Sequence, residues 1–559
     1  MNWDFSSNFN FMKNEKNIIP ADGLAGLKNN FGSDLMSGFM VALLALPLSL
    51  GIAAASDFPN PLLGVLTAII GGLIVSLFMG AKLTIKGPAA GLIVIVAGSV
   101  SAFGGGETGW KLTLGAIVVA AIFQILFGLF KLGKLSDFFP LSAVHGMLAA
   151  IGLIIISKQL HVLCGVNPVF APGTIAHGLD VSGKPMVAPL DLLGALPSTF
   201  NHLISNPVAI SSMVVGLVSL LIVFGWPMLK FPALKKVPLP LIVLVVAIPL
   251  GMFLGLSQEN KQLVKVGNFW SMLGFHVSFD GISQTGVFIQ YVILFAVIGS
   301  LESLLTAKAI DMLDPYKRKT DFNRDLIAVG AGNALAGVLG GLPMISEVAR
   351  SSANVNNGGK TRWANFFHGL FLLVFVALLS GVIEMIPKAA LAALLIGVGF
   401  KLAHPKEFVH TLKIGRDQFA VFLITIFFTL YEDLLVGIAS GIILEIVLHL
   451  INGASFKSLF SPSMKVSEDG SNLLVKVSGT PVFTNFIGLK KRLENLPKGR
   501  QISLDFSSTK LIDHTVMEGV HHFELEYAET GGSVNVTGLD GHSPYSEHSF
   551  AARKKSNVG

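Results

Sequence analysis

Hydrophobic residues occur along most of the chain in runs close to the length of a membrane-spanning helix, which needs about 20 apolar residues. Two further segments, 87–101 and 343–355, are shorter and are broken by proline. The pattern predicts about fourteen membrane elements, two of them broken. The twelve longer runs are 35–55, 61–80, 111–130, 139–157, 207–228, 237–256, 287–310, 326–340, 363–386, 388–403, 418–432 and 434–452.

The pattern changes after Ser461, where hydrophobic and polar residues alternate as they do in β-strands. The order strand, helix, strand, helix, strand predicts a small α/β domain. The predicted strands are 472–478, 502–506 and 534–538, and the predicted helices are 486–496 and 516–527. The chain is therefore divided into a polar N-terminal arm (1–32), a transmembrane domain (33–455), an α/β domain (465–541) and a loose polar tail (542–559).

Composition narrows the class of protein. Only 13% of the 559 residues are charged, and the mean hydropathy is +0.68, which excludes an ordinary soluble globule. The single cysteine, Cys164, excludes an internal disulfide and a multi-cysteine metal site. The net charge of +6 is spread through short loops and does not predict nucleic-acid binding. No Ser–His–Asp arrangement or metal-ligand spacing is apparent, so we expect neither an enzyme nor a metal site.

Basic residues in the loops predict the orientation in the membrane. With fourteen elements, basic groups such as Lys317–Lys319 and those of 401–416 fall on one side. The long loops 159–206 and 257–286 fall on the other side and hold fewer basic residues for their length. The first 30 residues lack the apolar core of a cleavable signal peptide. We expect a multi-pass protein of the inner (plasma) membrane with both termini in the cytoplasm.

The second broken segment lies within Gly340–Ser352 and carries Glu347 and Arg350 one helical turn apart. Charges at membrane depth cost about 2.5–3.5 kcal/mol each, so they usually line a functional cavity. Pro343 suits the first position of a new helix. Transporters hold solutes at helices broken in this way, and the segment 86–91 is the counterpart in the first half. The two segments together predict a substrate site.

Several motifs together resemble the SulP (sulfate permease) family of inorganic-anion transporters, and the C-terminal part resembles the STAS domain that these proteins carry. The resemblance covers roughly residues 30–540. The membrane motifs are Asp34–Pro47, Gly87–Ala90, Ser300–Thr306 and Gly340–Arg350 with Asn357–Thr361, and the STAS-like motifs are Leu504–Ser508 and Leu511–Thr515.

The resemblance implies a polytopic α-helical membrane protein with a seven-plus-seven inverted repeat, core and gate subdomains, and a small cytoplasmic α/β STAS domain. It also implies homodimers and transport by an elevator-like shift of the core. The half-helices starting at Gly87 and Pro343 would point their N-termini at the anion. Exposed N–H groups and the positive end of the helix dipole suit such a ligand.

Candidate site residues follow from the resemblance and from the placement of charges. Glu302 and Thr306 occupy positions where relatives hold a coupling carboxylate and hydroxyl, which implies H+ or Na+ as the coupling ion and no other cofactor. Lys86 is expected to add electrostatic support. The expected substrate-binding residues are Gly87, Ala89, Ala90, Ser346, Glu347, Val348 and Arg350.

The charged candidates leave alternatives open. Glu302 either exchanges a proton during transport, or it is a helix-end charge that reaches water or pairs with Lys308. An ionised Glu347 would cancel the field that attracts an anion, so it either pairs with Arg350 or stays protonated. Our hypothesis is that Glu347, Arg350 and Lys86 form one charge-balanced cluster.

The expected function is secondary active transport of a small inorganic oxyanion. Many relatives have a glutamine after the first-segment proline, where this chain has Leu48, which weakens a direct sulfate assignment. Bicarbonate-type members also lack that glutamine, but their sodium-linked carboxylate is an aspartate, unlike Glu302. A proton-coupled nucleobase permease is disfavoured by Lys86 and Arg350, which neutral bases do not need. The remaining alternatives are a passive anion channel and a membrane-anchored sensor in which the soluble domain is the output.

Overall fold

The chain folds into two compact units, which a computed structural model describes over most of their length. One unit comprises Met1–Gly133 and Ile151–Leu402, and the other Lys134–Ala150 and Ala403–Gly559. The described residues are 19–133, 139–166, 176–179, 185–187, 189–228, 237–432, 434–460, 463–469, 472–528 and 530–556.

Each of the fourteen predicted membrane elements contains a helix. Within the described residues, seven helices are long and apolar enough to cross a membrane, and four further apolar helices are shorter. The polytopic helical class is therefore confirmed. The helices are α1 (Gly23–Ala55), α2 (Leu62–Leu73), α3 (Ile93–Ala102), α4 (Gly106–Leu129), α5 (Leu141–Leu163), α6 (Pro189–Gly194), α7 (Leu196–Ser205), α8 (Pro207–Gly225), α9 (Leu239–Phe253), α10 (Phe269–Met272), α11 (Thr285–Leu313), α12 (Phe322–Leu339), α13 (Val348–Asn356), α14 (Trp363–Leu378), α15 (Ser380–Ile383), α16 (Lys388–Leu402), α17 (Pro405–Ile414), α18 (Arg416–Tyr431), α19 (Leu434–Ile451), α20 (Phe483–Glu494) and α21 (His514–Ala528).

The described strands of the first unit have three or four residues, whereas the longest strands of the C-terminal domain have seven to nine. The described strands are β1 (Lys86–Pro88), β2 (Ala176–Leu179), β3 (Pro185–Val187), β4 (Met344–Ser346), β5 (Ser463–Asp469), β6 (Asn472–Gly479), β7 (Gln501–Thr509), β8 (Leu511–Ile512), β9 (Ser533–Thr537), β10 (His542–Pro544) and β11 (Arg553–Lys555).

The first helix begins earlier than the predicted arm of 1–32 allows. Helix α1 starts at Gly23, whose N–H donates to the side chain of Asp22 at 2.9 Å. Burial acts to raise the pKa of Asp22, but hydrogen bonds from Lys82 and from the Gly23 backbone hold it well below its usual range. A kink at Asn30 (φ −124°, ψ 17°) separates the first turns from the rest of the helix.

The two halves of the membrane unit repeat one pattern of helix contacts. Helix α1 packs against α14 as α11 packs against α4, and α2 packs against α14 as α12 packs against α4. The contact of α1 with α13 likewise matches that of α11 with α3. Exchanging α1–α4 with α11–α14 converts each of these contacts into its counterpart, as an inverted repeat requires.

Helices α2 and α14 cross at Gly72 and Gly369, where a β-carbon on either residue would clash with the backbone of the other. We expect Gly72→Ala to lower the Tm of the purified protein, because overpacking costs about 1–3 kcal/mol. Gly225→Ala on α8 is the matched control, since a β-carbon there meets no described atom within 4 Å. That change should stabilise by about 0.4–1 kcal/mol. Equal Tm values for the two variants would contradict the tight crossing.

The C-terminal α/β domain contains a four-stranded sheet in the order β5-β6-β7-β9. Strands β6, β7 and β9 are parallel, and β5 is antiparallel to β6. The three predicted strands and two predicted helices are confirmed within a few residues. Strand β5 was not predicted because its sequence, Ser463–Asp469, is largely polar, as is usual for an edge strand.

The prediction of a loose tail for 542–559 is wrong over its described part. Strands β10 and β11 pair with each other, and β11 also pairs with β8. The buried ring of His542 lies 3.0 Å from the Thr509 hydroxyl, and Ala551 and Ala552 are buried as well. These anchors are single small or polar residues among charged ones, so the hydropathy pattern did not reveal them.

Candidate functional site

Strands β1 and β4 pair in antiparallel fashion and bring the two broken segments together. Pro88 lies opposite Met344, and the Ala89 N–H continues the ladder to the Pro343 carbonyl at 3.4 Å. Helices α3 and α13 follow the two strands along the chain, so their N-terminal ends flank one short ladder. The prediction that the two broken segments meet is confirmed.

The half-helices begin later than predicted. Gly87 lies within β1, and Pro343 directly precedes β4, so neither residue starts a helix. The first helical residues are Ile93 and Val348. The fixed φ of proline suits an extended strand end as well as a helix start. The partner strand supplies the hydrogen bonds that favour the extended form here, and one segment read alone does not show that partner.

Two buried asparagines complete the hydrogen bonding of the ladder. The Asn333 side chain accepts from the Met344 N–H at 2.6 Å and donates to the Met344 carbonyl at 3.1 Å. Asn365 accepts from the Lys86 N–H at 3.3 Å and donates to the Gly71 carbonyl at 3.1 Å. An unpaired backbone group at membrane depth costs several kcal/mol, so these side chains help to hold the strands at that depth.

Lys86 is fully buried, and its charge is neutralised within the protein. Its ammonium lies 2.6 Å from Asp325 Oδ2 and 2.6 Å from the Ser346 hydroxyl. The hypothesis of one cluster with Glu347 and Arg350 is therefore wrong for Lys86. Asp325 was not identified from the sequence as the partner of Lys86. It lies in the first turn of α12, where an acidic residue is common because it interacts favourably with the helix dipole.

The Ser346 side chain is occupied by its neighbours. Its hydroxyl accepts from the Lys86 ammonium and from Ser303 Oγ, the latter at 3.1 Å. Its backbone N–H donates to the same Ser303 oxygen at 3.2 Å. Ser346 is fully buried and its hydroxyl contacts Lys86, so a part in substrate binding stays a prediction.

Arg350 lies in the first turn of α13 and is fully buried. Gly87 provides the space for it, since a β-carbon at that position would clash with Arg350 Nη1. Among the described residues, none of its three side-chain nitrogens has a hydrogen-bond partner. The hydrogen-bonded pair with Glu347, one of the two alternatives for that residue, is therefore not formed, although the charge of Glu347 acts on the guanidinium. A buried guanidinium without an acceptor is unfavourable for the protein alone, which makes it suited to an anionic ligand.

Glu347 is the N-cap residue of α13, and its carboxylate reaches across the ladder. Its Oε1 accepts the backbone N–H of Ala90 at 3.1 Å. The N-cap residues of α3 and α13 are Leu92 and Glu347. In the described structure, neither side chain accepts a hydrogen bond from the first turn of its own helix. In the same first turn of α13, Val348 is 52% exposed whereas Arg350 is buried.

Glu302 on α11 is buried against the first broken segment. A β-carbon on Gly91 would clash with both of its carboxyl oxygens, and the charge of Glu347 acts on it. Its Oε1 has no hydrogen-bond partner among the described residues. The alternative of a helix-end charge that reaches water is therefore wrong. Thr306, one turn further along, is also buried.

The ladder thus gathers one guanidinium and two carboxyl groups whose charges interact. Lys86 and Asp325 cancel each other nearby, so Arg350, Glu302 and Glu347 are the remaining charged side chains of the described site. Most of the predicted site residues lie at this ladder or directly beside it, namely Lys86, Gly87, Ala89, Ala90, Ser346, Glu347, Val348, Arg350 and Glu302.

The sequence of the chain is similar to known proteins over most of its length. A family model described as "Sulfate permease family" matches residues 31–425. The chain is 27% identical to the "Putative sulfate transporter YvdB" of Bacillus subtilis, over 83% of this chain and 82% of that protein. It is 24% identical to the "Bicarbonate transporter BicA" of Picosynechococcus sp., over 79% of this chain and 74% of that protein.

A likeness to a solved structure extends over both units. The structure of the murine Solute Carrier 26 family member A9 anion transporter in the inward-facing state aligns with a TM-score of 0.61 at 16% sequence identity. The alignment covers 94% of this chain and 90% of that protein, so the likeness of fold includes the C-terminal α/β domain.

Proposed function

The chain belongs to the sulfate permease family, and from this membership and the geometry of the ladder we propose that it is a proton-coupled secondary transporter of a small inorganic oxyanion. The observation that carries the proposal is Arg350, a fully buried guanidinium without a hydrogen-bond partner among the described residues. Relatives named as sulfate and bicarbonate transporters support an inorganic anion as the substrate.

In the proposed complex, the anion lies beside Arg350 and the N-terminal ends of α3 and α13. The guanidinium supplies up to five donors, and the first backbone N–H groups of an uncapped helix supply more. The Ala90 N–H is taken by Glu347 Oε1 at 3.1 Å. We infer that the carboxylate of Glu347 leaves this N–H when the anion arrives, so that the bound anion replaces a negative group of the protein.

This exchange provides a physical basis for coupling to protons. An anion near two ionised carboxylates is repelled by both, so its binding favours protonation of Glu302 and Glu347. By linkage, protonation of the carboxyls favours anion binding to the same extent. The protons then travel with the anion, and an inward proton gradient drives uptake.

The charge of the site bears on which anion is carried. Lys86 is cancelled by Asp325, which leaves Arg350 as the cationic side chain of the described site without a paired carboxylate. A monovalent anion such as bicarbonate balances one guanidinium, whereas sulfate requires additional protons on Glu302 or Glu347. Bicarbonate is therefore the second candidate, and it agrees with Leu48 at the position where many sulfate-carrying relatives have glutamine.

The remaining parts of the proposal follow from the family. They are an elevator-like shift of the core subdomain, a homodimer, location in the plasma membrane, and N- and C-termini on the cytoplasmic side. An anion channel would conduct without a coupling ion, and a nucleobase permease would not need Arg350. The uptake experiment described next distinguishes the proposed transporter from an anion channel and from a nucleobase permease.

The test is uptake of labelled sulfate and of labelled bicarbonate into proteoliposomes under an imposed proton or sodium gradient. We expect one of the two anions to accumulate above its equilibrium level when the outside is acidic, and accumulation to stop when a protonophore collapses the gradient. Accumulation driven by sodium alone would replace the proton with sodium as the coupling ion. Electrical current without accumulation would establish a channel and overturn the proposal.

Replacing Glu302 with glutamine should uncouple transport from the proton gradient. The amide keeps the size of the buried side chain but has no proton to exchange, so accumulation should fall to the equilibrium level while anion–anion exchange continues. Glu107→Gln on α4 is the control, because that residue is exposed and pairs with Lys111 on its own helix at 2.7 Å. Proton-driven accumulation that persists in Glu302→Gln would remove Glu302 from the coupling mechanism.

A further inference from the structure

The C-terminal unit contains a buried cluster of three ligand-type side chains that the transport site does not use. Glu445 and His449 lie one turn apart on α19, and Asp513 lies at the turn between β8 and α21. His449 Nε2 is 3.6 Å from Glu445 Oε1 and 3.3 Å from Asp513 Oδ2. We propose that these three residues bind a divalent transition-metal ion of the Zn²⁺ type, which ties the last membrane helix to the α/β domain.

The spacing of the ligand atoms fits a coordination site. Zinc binds histidine nitrogen and carboxylate oxygen at about 2.0–2.2 Å, and tetrahedral geometry then places neighbouring ligand atoms roughly 3.3 Å apart. The ligand atoms of the three residues all lie within 4.8 Å of one another. The distances of 3.3 and 3.6 Å from Nε2 are long for charged hydrogen bonds, which are about 2.7–2.9 Å.

Burial and unsatisfied atoms point to a missing partner. The exposed fractions of the Glu445, His449 and Asp513 side chains are 2%, 5% and 1%. Within the described residues, Glu445 Oε2 and His449 Nε2 have no hydrogen-bond partner. Buried polar atoms nearly always have a hydrogen-bond partner, so two buried atoms without one in the same cluster require an explanation. A cation accepts both lone pairs at once.

The charge balance favours a cation of charge +2. The charged groups that act on Glu445 are His449, Asp513 and Asp417, with no lysine or arginine among them. Two ionised carboxylates and a neutral imidazole carry a charge of −2, which one divalent ion cancels. Buried charges are tolerated when they are paired or coordinate a metal.

Outer hydrogen bonds orient the two carboxylates as they do around known metal sites. The Gln418 amide donates to Glu445 Oε1 at 2.9 Å and is itself held by Ser142, whose hydroxyl donates to it at 2.7 Å. The backbone N–H groups of Phe483 and Val516 donate to Asp513 at 2.6 and 2.8 Å. Three protein ligands leave one coordination position for water. The sequence did not reveal the site because Asp513 is far along the chain from α19.

Metal content of the full-length protein in detergent tests the proposal. After treatment with a chelator and dialysis against Zn²⁺ or Co²⁺, we expect about one ion per chain in the wild type by elemental analysis. His449→Gln and Glu445→Gln should each weaken binding at least tenfold, since even the outer residues of metal sites act on that scale. Removing the ion should also lower the Tm of the wild type but not that of His449→Gln.

The chain supplies a matched control. Glu518 and His522 on α21 have the same four-residue spacing and the same 3.6 Å between Nε2 and Oε1, but both are about one-third exposed. His522→Gln should leave the bound ion in place. Loss of the ion in His522→Gln instead of His449→Gln would place the metal on the surface of α21 and overturn the proposal.

If the removal of His449 prevents folding, a variant with a different metal-binding side chain at this position still tests the proposal. His449→Cys, made together with Cys164→Ser, retains a zinc and cobalt ligand and should show a thiolate-to-cobalt absorption band with Co²⁺. Absence of the band in a folded variant, or a wild type that binds no ion, would show that the three residues form only a proton-sharing network. Equal affinity for Mg²⁺ and Zn²⁺ would also contradict a transition-metal site.

Discussion

Replacing Arg350 with methionine is expected to impair anion binding and, at the same time, to make the protein more stable. In the described structure the guanidinium is buried without an acceptor. A charged hydrogen bond to a ligand contributes about 1.5–3 kcal/mol, so its loss should weaken anion binding roughly 10- to 100-fold. Removing an unpaired buried charge should raise the free energy of unfolding by about 1–4 kcal/mol.

The two opposite effects separate a binding residue from a structural one. A guanidinium that served only to hold α13 in place would lower both uptake and stability when removed. The measurements are labelled-anion uptake into proteoliposomes and the Tm of the purified protein with and without the anion, which should raise the Tm of the wild type but not of Arg350→Met. Arg324→Gln is the control, because Arg324 is exposed and donates to the Phe78 carbonyl at 2.8 Å. Uptake by Arg350→Met at the wild-type level would refute the assignment.

The second large effect is expected from the buried pair of Lys86 and Asp325. Lys86→Met or Asp325→Asn alone leaves one buried charge without its partner, which should lower the free energy of unfolding by about 3–5 kcal/mol. Asp325→Asn retains an oxygen that can accept the Ala81 N–H, which Asp325 accepts at 3.1 Å. The loss in that variant therefore reports on charge rather than on a missing backbone partner.

The double variant Lys86→Met/Asp325→Asn should be more stable than either single variant, since it contains no unpaired buried charge. A double-mutant cycle of Tm values measures this coupling. The double variant should also retain uptake, because the pair contributes no net charge to the anion site. Additive losses, or loss of uptake in a stable double variant, would instead restore Lys86 as the electrostatic support that its position in the sequence suggests.

The membrane helices could be predicted because a helix that crosses a bilayer needs a long run of apolar residues, which is directly visible in the sequence. Twelve of the fourteen elements were visible as apolar runs, and the two broken ones were marked by proline and glycine. The contact pattern between the halves agrees with the inverted repeat that the resemblance implied. The strand–helix order of the C-terminal domain was also visible, because its buried positions alternate in β6 and recur with helical spacing in α20 and α21.

The predictions that were wrong or incomplete concern residues whose partners are distant in the sequence. Whether Pro343 starts a helix or a strand was decided by β1, which lies more than 200 residues earlier. Likewise, Lys86 pairs with Asp325, a residue that local reasoning assigns to a helix dipole. The contact of Glu347 with the Ala90 backbone was not predictable. Every residue except proline has a backbone N–H, so the sequence does not indicate which of them a carboxylate will contact.

The pairing of β1 with β4 has a consequence for how the protein is made. Strand β1 is complete once residue 88 has left the ribosome, but its partner strand ends at Ser346. During the intervening synthesis, the amides of the first strand have no protein partner, and hydrocarbon offers them none. The nascent first half must therefore keep this segment in contact with water or with the insertion machinery until the second half arrives. Folding of the anion site therefore cannot be completed before Ser346 has been synthesised.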